Sequence, residues 1–372
     1  MKILILSCNT GEGHNSAGKA IKSVFEKNGD ECHITDALAF ISPVVSRMIV
    51  GGHVFFYRYL PSLFHYIYDG AALLSKVSRG SGDTLIFRIL SLGSKRLYRY
   101  IIDGGYDKII CVHPFASQML TKLKRQHPEF SISTFFVATD YTCSPGVDES
   151  RLDHYIIPHV DAEADFVNKG IPTEKIRHIG IPINEAYNCL PSKSEARERL
   201  GISQNDRVAL LVCGSMGCGP IRKIAEKMAK SLLSGMSLVV ICGRNEDLRK
   251  KLSSRLKDNN SVRVLGYTNE MPIYMAASDL YVTKPGGLST TESACAHLPM
   301  LMVDAVAGCE TYNFNFFFEN GYAFAYDGKG GAAELALELL SDDARLSEVR
   351  TRLAESFVSD GAYKIYKLVK ES

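Results

Sequence analysis

The run Lys284-Pro285-Gly286-Gly287-Leu288-Ser289-Thr290-Thr291-Glu292 holds the residue types best suited to chemistry in this 372-residue chain. It follows an apolar stretch, Leu280 to Thr283, and turns into a segment of helical composition. The first turn of a helix presents backbone N–H groups without intrahelical acceptors, together with the positive end of the helix dipole, and a diphosphate is the natural guest. Gly286 and Gly287 let the backbone approach phosphate oxygens, Ser289 and Thr290 add hydroxyl donors, and Glu292, a turn further on, can accept hydrogen bonds from a ribose diol. An ordinary helix start uses similar residues, so the surroundings of the run decide between the two readings.

A second group lies near the amino terminus, where Asn9-Thr10-Gly11-Glu12-Gly13-His14-Asn15-Ser16-Ala17-Gly18 follows the apolar run Ile3 to Cys8. A histidine in a glycine loop just beyond a strand can project into a cleft, and the ordinary pKa of imidazole, close to neutrality, suits a general base for an incoming hydroxyl. His14 is the first candidate for that role, with loop capping or substrate orientation as the alternative. Asp140, after the apolar stretch Phe135 to Ala138, is placed to orient His14 or the hydroxyl, and Glu12 is a further carboxylate in the loop. Both rank below His14.

These groups need elements that hold them. Ile3 to Cys8 followed by glycines and then by Lys19 to Lys27, with Ala20, Ile21, Val24 and Phe25 at helical spacing, reads as strand, turn and helix. The pattern recurs at Arg207 to Cys213, Gly214-Ser215-Met216-Gly217-Cys218-Gly219 and the helical spacing of Ile221, Ile224, Met228 and Leu232. Further strands are expected at Lys108 to Val112, Ile132 to Ala138, Ser237 to Cys242, Val262 to Leu265, Leu280 to Thr283 and Pro299 to Val303. Strands alternating with helices predict parallel sheets in an α/β chain of two Rossmann-like domains. The interruptions between Pro182 and Lys193 put the boundary there, giving domains of residues 1–188 and 189–354, with a final helix at about 355–372 crossing back onto the first. Ligands of such sheets bind beyond the carboxyl ends of the strands, so two domains facing across a cleft bring both glycine loops to one place.

Composition narrows the class. With 46% hydrophobic and 23% charged residues the chain is globular, and a net charge of +2 is too small to imply a nucleic-acid partner. Its ten cysteines form no CxxC pair and no zinc-like spacing, and the amino-terminal apolar stretch is too short for a signal peptide, which predicts a reduced cytoplasmic protein without structural metal.

Taken in order, Gly11 to Ala17, His113-Pro114-Phe115, Thr139-Asp140, Gly180-Ile181-Pro182, Gly214-Ser215-Met216-Gly217, Gly243-Arg244-Asn245, Gly266-Tyr267-Thr268 and Lys284 to Glu292 resemble the diacylglycerol glycosyltransferases, typified by monogalactosyldiacylglycerol synthase and the bacterial processive glucosyltransferases. These are relatives of the peptidoglycan glycosyltransferase of the GT-B fold, and the resemblance spans almost the whole chain. It implies that Gly266, Tyr267, Thr268 and Met271 border a uracil, and that Gly214, Ser215 and Gly287 to Thr290 hold a diphosphate. It further implies Glu292 at the ribose, Glu310 and Asn313 at the transferred sugar, and Gly11, Gly13 and Asn15 in the acceptor loop. Arg244 either adds charge near the phosphates or forms a surface ion pair. His14 would be the base of a direct, inverting attack, and no bound metal or other cofactor is implied. The family follows its Thr-Asp with a His and Trp segment, where this chain reads Tyr141-Thr142-Cys143-Ser144-Pro145-Gly146.

Between Ala39 and Tyr100 the chain carries eight Lys/Arg (Arg47, Arg58, Lys76, Arg79, Arg88, Lys95, Arg96, Arg99) against Asp69 and Asp83, interleaved with Val54 to Leu60 and Leu63 to Tyr68. Such a stretch suits an anionic lipid surface, and buried helices with a solvated basic face would look the same. No apolar span reaches the length needed to cross a bilayer. The expectation is an enzyme attached peripherally to the cytoplasmic face of the membrane, moving glucose or galactose from UDP-glucose or UDP-galactose to diacylglycerol. A polyprenyl-linked or other lipid acceptor, a UDP-sugar 2-epimerase of the same fold, and a noncatalytic nucleotide-sugar-binding protein are the alternatives.

Overall fold

A computed structural model of the chain describes residues 1–9, 11–42, 51, 84–212, 214, 221–303, 308–326 and 331–372. The chain divides into two compact units, one of Met1–Asn184, Val306–Tyr312 and Asp360–Ser372, the other of Glu185–Ala305 and Asn313–Ser359.

Unit 1 is built on a six-stranded parallel sheet of order β2-β1-β3-β4-β5-β6, where the strands are β1 (Lys2–Ser7), β2 (Glu31–Asp36), β3 (Lys108–Cys111), β4 (Ser133–Val137), β5 (His154–Ile157) and β6 (Ile176–His178). Its described helices begin with α1 (Glu12–Lys27), α2 (Leu85–Leu90), α3 (Ser94–Gly104), α4 (Pro114–Gln126) and α5 (Glu163–Asn168). Both faces of this sheet are covered, so its central strands are apolar throughout, as in Ile3, Leu4, Ile5 and Leu6, all fully buried.

Unit 2 repeats the plan with β7 (Arg207–Val212), β8 (Met236–Ile241), β9 (Val262–Leu265), β10 (Leu280–Thr283), β11 (Met300–Met302) and β12 (Phe324–Ala325) in the parallel order β12-β11-β10-β7-β8-β9. Its helices are α6 (Lys193–Leu200), α7 (Ile221–Ser231), α8 (Glu246–Arg255), α9 (Met271–Ala277), α10 (Gly287–Cys295), α11 (Cys309–Glu319), which starts among residues of unit 1, α12 (Ala332–Leu340) and α13 (Asp343–Ser356). One face of α7, with Ile221, Ile224, Ala225 and Met228, packs on Leu211, Leu238 and Val240 of the sheet.

The last helix, α14 (Gly361–Glu371), belongs to unit 1. Its apolar stripe of Ala362, Ile365 and Val369 is buried, Ile365 and Val369 joining the core of Ile3, Ile5, Phe25 and Phe135. Tyr366 meets Phe25 of α1 edge to face, with ring centroids 5.2 Å apart.

Two features differ from the sequence reading. The first glycine loop is shorter than expected, because α1 begins at Glu12. Gly11, extended at φ −174°, occupies the position before the first turn, so Gly13, His14 and Asn15 are helical. The strand β2 adds a row to the sheet that its polar sequence, Glu31-Cys32-His33-Ile34-Thr35-Asp36, did not announce.

Candidate active site

In unit 2 the chain order runs outward from the sheet centre in both directions, β7-β8-β9 one way and β10-β11-β12 the other, with Val212 beside Thr283 at the paired strands. That reversal is the topological switch point where ligands of open α/β sheets bind. Gly214 follows β7 at φ +70°, a left-handed conformation that favours glycine. Ser215 lies outside the described residues. Lys284 to Gly286 follow β10 and lead into α10.

Gly286 is the residue before α10 and provides no side-chain cap, so the amides of Gly287, Leu288 and Ser289 in the first turn have no intrahelical acceptor. The hydroxyls behave differently from one another. Ser289 is partly exposed and donates to the Gly286 carbonyl at 3.1 Å. Thr290 is fully buried and donates to the Gly286 and Gly287 carbonyls at 3.0 and 3.1 Å. Thr290, expected at the diphosphate, thus has its hydroxyl proton engaged inside the helix. Asn313, expected at the sugar, is also fully buried, and its amide donates to the Pro285 carbonyl at 3.0 Å. It fixes the turn that delivers Gly286. Glu310 is buried in the first turn of α11.

Glu292 is partly buried on α10. Desolvation pushes its carboxyl up to about 7, against the opposing effect of a hydrogen bond from the Tyr187 hydroxyl. At the other edge of the switch point, Arg244 lies over the exposed ring of Tyr267, 5.5 Å from its centroid. Thr268 accepts the Glu270 amide at 3.0 Å, next to the start of α9 at Met271. Gly266 has the Arg249 side chain packed against it, at 3.2 Å from where a Cβ would stand.

In unit 1 the reversal falls between β1 and β3, where Leu6 pairs with Cys111. The segments leaving these two strands carry His14 and His113. His14 Nδ1 lies 2.8 Å from the Val112 carbonyl and 2.8 Å from the Thr139 hydroxyl. A carbonyl only accepts, so Nδ1 carries the ring proton and the lone pair of the neutral imidazole is on Nε2. His113 meets His14 at an interplanar angle of 62°, with centroids 4.4 Å apart. Its own Nδ1 accepts the Phe115 amide at 3.1 Å as the cap of α4. Asp140 hydrogen-bonds Cys309, whose thiol is pushed well above its ordinary range, chiefly by burial and then by that carboxylate.

Asn15 is spent on the scaffold. Its carbonyl oxygen accepts from the Ser7 hydroxyl at 2.7 Å, and its amide donates to Asn9 at 3.1 Å. Asn9 in turn donates to Asp36 at 2.8 Å, tying the end of β2 to the start of α1. Gly11 and Gly13 have open space where a Cβ would stand.

Both units have counterparts among known proteins. Residues 14–183 match the family model of monogalactosyldiacylglycerol (MGDG) synthase, and residues 208–349 match the glycosyltransferase family 28 C-terminal domain. Each half of the chain thus matches a glycosyltransferase family model. The glycosyltransferase is 26% identical to the processive diacylglycerol beta-glucosyltransferase of Staphylococcus epidermidis, over 98% of this chain and 91% of the relative. It is 26% identical to the enzyme of that name from Bacillus pumilus, over 100% and 94%. Among solved structures it is similar to MurG of Acinetobacter baumannii (TM-score 0.66, 12% identity, all of both chains) and to UDP-GlcNAc 2-epimerase of Neisseria meningitidis (0.60, 13%, all of both chains). The shared architecture is GT-B, with two Rossmann-like domains.

Some residues around these two candidate sites carried no motif of their own. The Val112 partner of His14 is a backbone carbonyl, which any residue type supplies. Thr139 was visible only as the neighbour of Asp140. Tyr187, on a short 3-10 turn at Glu185–Cys189, had no sequence signal. The apolar and basic stretches at 54–60 and 63–68, with Arg47, Arg58, Lys76, Arg79, Asp69 and Asp83, lie outside the described residues. No helix among the described residues is long and apolar enough to cross a membrane.

Proposed function

We propose that the chain transfers glucose or galactose from a UDP-sugar to the free hydroxyl of diacylglycerol, with inversion, at the cytoplasmic surface of a membrane. The observation that carries this reading is the fixed tautomer of His14, whose Nδ1 is held at the Val112 carbonyl. Nε2 takes the proton of the acceptor hydroxyl as its oxygen bonds to the anomeric carbon, and the bond from that carbon to UDP breaks. The amides of Gly287, Leu288 and Ser289, with the dipole of α10, meet the charge that collects on the departing diphosphate. Transfer then requires no bound divalent metal. Glu292 accepts the ribose hydroxyls, Gly266 to Thr268 and Met271 border the uracil, and Glu310 faces the sugar. The relatives' names support diacylglycerol as acceptor.

The lipid surface is met by the region from residue 39 to 100. Its described part supports this reading through Leu85 and Leu92, which are 72% and 71% exposed, beside the exposed Arg88, Lys95 and Arg99. The test supplies radiolabelled UDP-glucose or UDP-galactose to the protein with diacylglycerol vesicles, with and without anionic phospholipid and with a metal chelator. Label is expected in glycolipid, more with anionic lipid and undiminished by the chelator. His14→Ala is expected to lower turnover about 100- to 10,000-fold while UDP still binds. Label found only on a soluble acceptor or a polyprenyl lipid, or epimerised sugar with no transfer, overturns the reading.

A further inference from the structure

The segment leaving β3 fixes the His14 ring twice. Val112 stays on the sheet, its amide donating to the Leu6 carbonyl at 3.0 Å, and its carbonyl takes Nδ1 of His14 at 2.8 Å. The next residue, His113, is 6% exposed and sets its ring against that of His14, with centroids 4.4 Å apart at 62°. The His113 ring also meets Phe115, centroids 4.7 Å apart. Its Nδ1 accepts the Phe115 amide at 3.1 Å, and its carbonyl accepts the Ser117 amide at 3.3 Å, so side chain and backbone are both tied to the start of α4. An amide only donates, so the lone pair of neutral His113 is on Nδ1 and the ring proton on Nε2, the reverse of His14.

We propose that His113 is the positioning residue of the base, its ring holding the plane of the His14 imidazole so that Nε2 of His14 keeps one direction toward the acceptor hydroxyl. The inference rests on the reading of His14 as the base. Hydrogen bonds to a carbonyl oxygen accept a broad range of angles, so the Val112 and Thr139 contacts by themselves let the His14 ring tilt about its bond to Cβ. A ring packed against it resists tilting steeply, because overlap of close-packed atoms is repulsive. The opposite tautomers also separate the tasks. The His113 lone pair is spent on the Phe115 amide, which leaves His14 as the proton acceptor of the pair. A proton on Nδ1 of His113 would face that amide donor to donor, so the cap favours the neutral ring. A neutral neighbour does not oppose the positive charge that His14 gains as it takes the proton.

Two substitutions separate the ring contact from the cap. Asparagine is a preferred residue before a helix, so His113→Asn keeps an acceptor for the Phe115 amide and removes the ring. His113→Phe keeps a ring beside His14 and leaves the amide without its acceptor. The experiment measures kcat and KM for radiolabelled UDP-glucose and UDP-galactose with diacylglycerol vesicles, and the melting temperature, all on the full chain. His113→Asn is expected to lower kcat by up to about 100-fold, the scale of a small misplacement of a reacting group, with KM for the UDP-sugar and the melting temperature near wild type. His113→Phe is expected to melt below His113→Asn and to turn over faster. Activity and stability then move in opposite directions across the pair, which a histidine that serves only the fold does not produce.

His113→Asn with wild-type turnover, or His113→Phe no faster than His113→Asn, overturns the positioning role. The His14→Ala background separates this failure from that of the base. There His113→Asn is expected to change the residual turnover no further, because it acts through His14. A further loss means that His113 acts on the reaction by itself, which also overturns the positioning role. If His14→Ala alone turns over like wild type, His14 is not the base and the inference falls with that reading. Ring ¹⁵N spectra of protein labelled in histidine need no acceptor and read the tautomers, with Nδ1 protonated in His14 and Nε2 protonated in His113, the two residues being assigned from the variants. Any other pair of tautomers overturns the division of tasks.

Discussion

At the scale of single residues, Glu292 shows what the fold asks of a desolvated carboxylate. An acid pushed up to about 7 in the folded chain holds a proton that the unfolded chain gives up near the ordinary carboxylate value. The folded state binds more protons between these two values, so stability falls as pH rises through that window, and the full cost is present above it. The cost at pH 8 is on the order of 3 kcal/mol. Glu292→Gln removes the charge and keeps an acceptor for Tyr187. It is expected to raise the melting temperature at pH 8 and to leave it nearly unchanged at pH 5, as read by thermal unfolding without nucleotide. A variant equally stable or less stable than wild type at both values contradicts a desolvated carboxylate. The sequence showed that a carboxylate stood one turn into the helix that follows the glycine turn. It did not show the desolvation, because Tyr187 reaches Glu292 only through the folded chain.

At the scale of elements, the site rests on what precedes α10 as much as on the helix itself. The Pro285 carbonyl is held by the Asn313 amide, a fully buried bond between the turn and α11. Proline has already fixed φ there, and the bond to its carbonyl fixes the peptide plane that leads to Gly286. Asn313→Ala leaves that carbonyl without its amide donor and is expected to cost about 1 to 3 kcal/mol in chemical denaturation. UDP affinity should fall with it, because the first-turn amides lose their fixed direction. Unchanged affinity would mean that the turn holds its shape without the bond.

The sequence made α10 legible because strand, glycine turn and helix are contiguous there, and it named Asn313 while assigning it to the sugar. Asparagine in a loop is ordinarily solvated, and nothing local to residue 313 indicates a partner 28 positions earlier. The start of α1 was misjudged for a related reason. Gly11 and Gly13 punctuate a sequence, yet a helix tolerates glycine at its first turn. The strands β5 and β6 passed unread because His154-Tyr155-Ile156-Ile157 and Ile176-Arg177-His178 are too short to show a period.

At the scale of the whole chain, the duplicated opening was the most informative pattern, since β1 with α1 and β7 with the turn at Gly214 each start a parallel six-stranded sheet. The helix that ends the chain is a different case, because its place in unit 1 depends on contacts with residues 264 and 340 positions away. Lys370 pairs with Asp30 at 3.1 Å, and Lys108 donates to the Ser372 carbonyl at 2.6 Å. These polar contacts are partly exposed and weak, so the buried Ile365 and Val369 supply the attachment. Ile365→Ala removes three carbons from a site that is 0% exposed and is expected to cost about 2 to 5 kcal/mol. Because Ile365 packs on Ile3, Ile5 and Phe135, the loss should be confined to unit 1. Amide hydrogen exchange resolves this, with protection falling in β1, β3 and β4 and unchanged in β7, β8 and β10. Equal loss in both sheets would mean that the two units unfold as one, and unchanged protection in β1 would mean that α14 is dispensable to the core it covers.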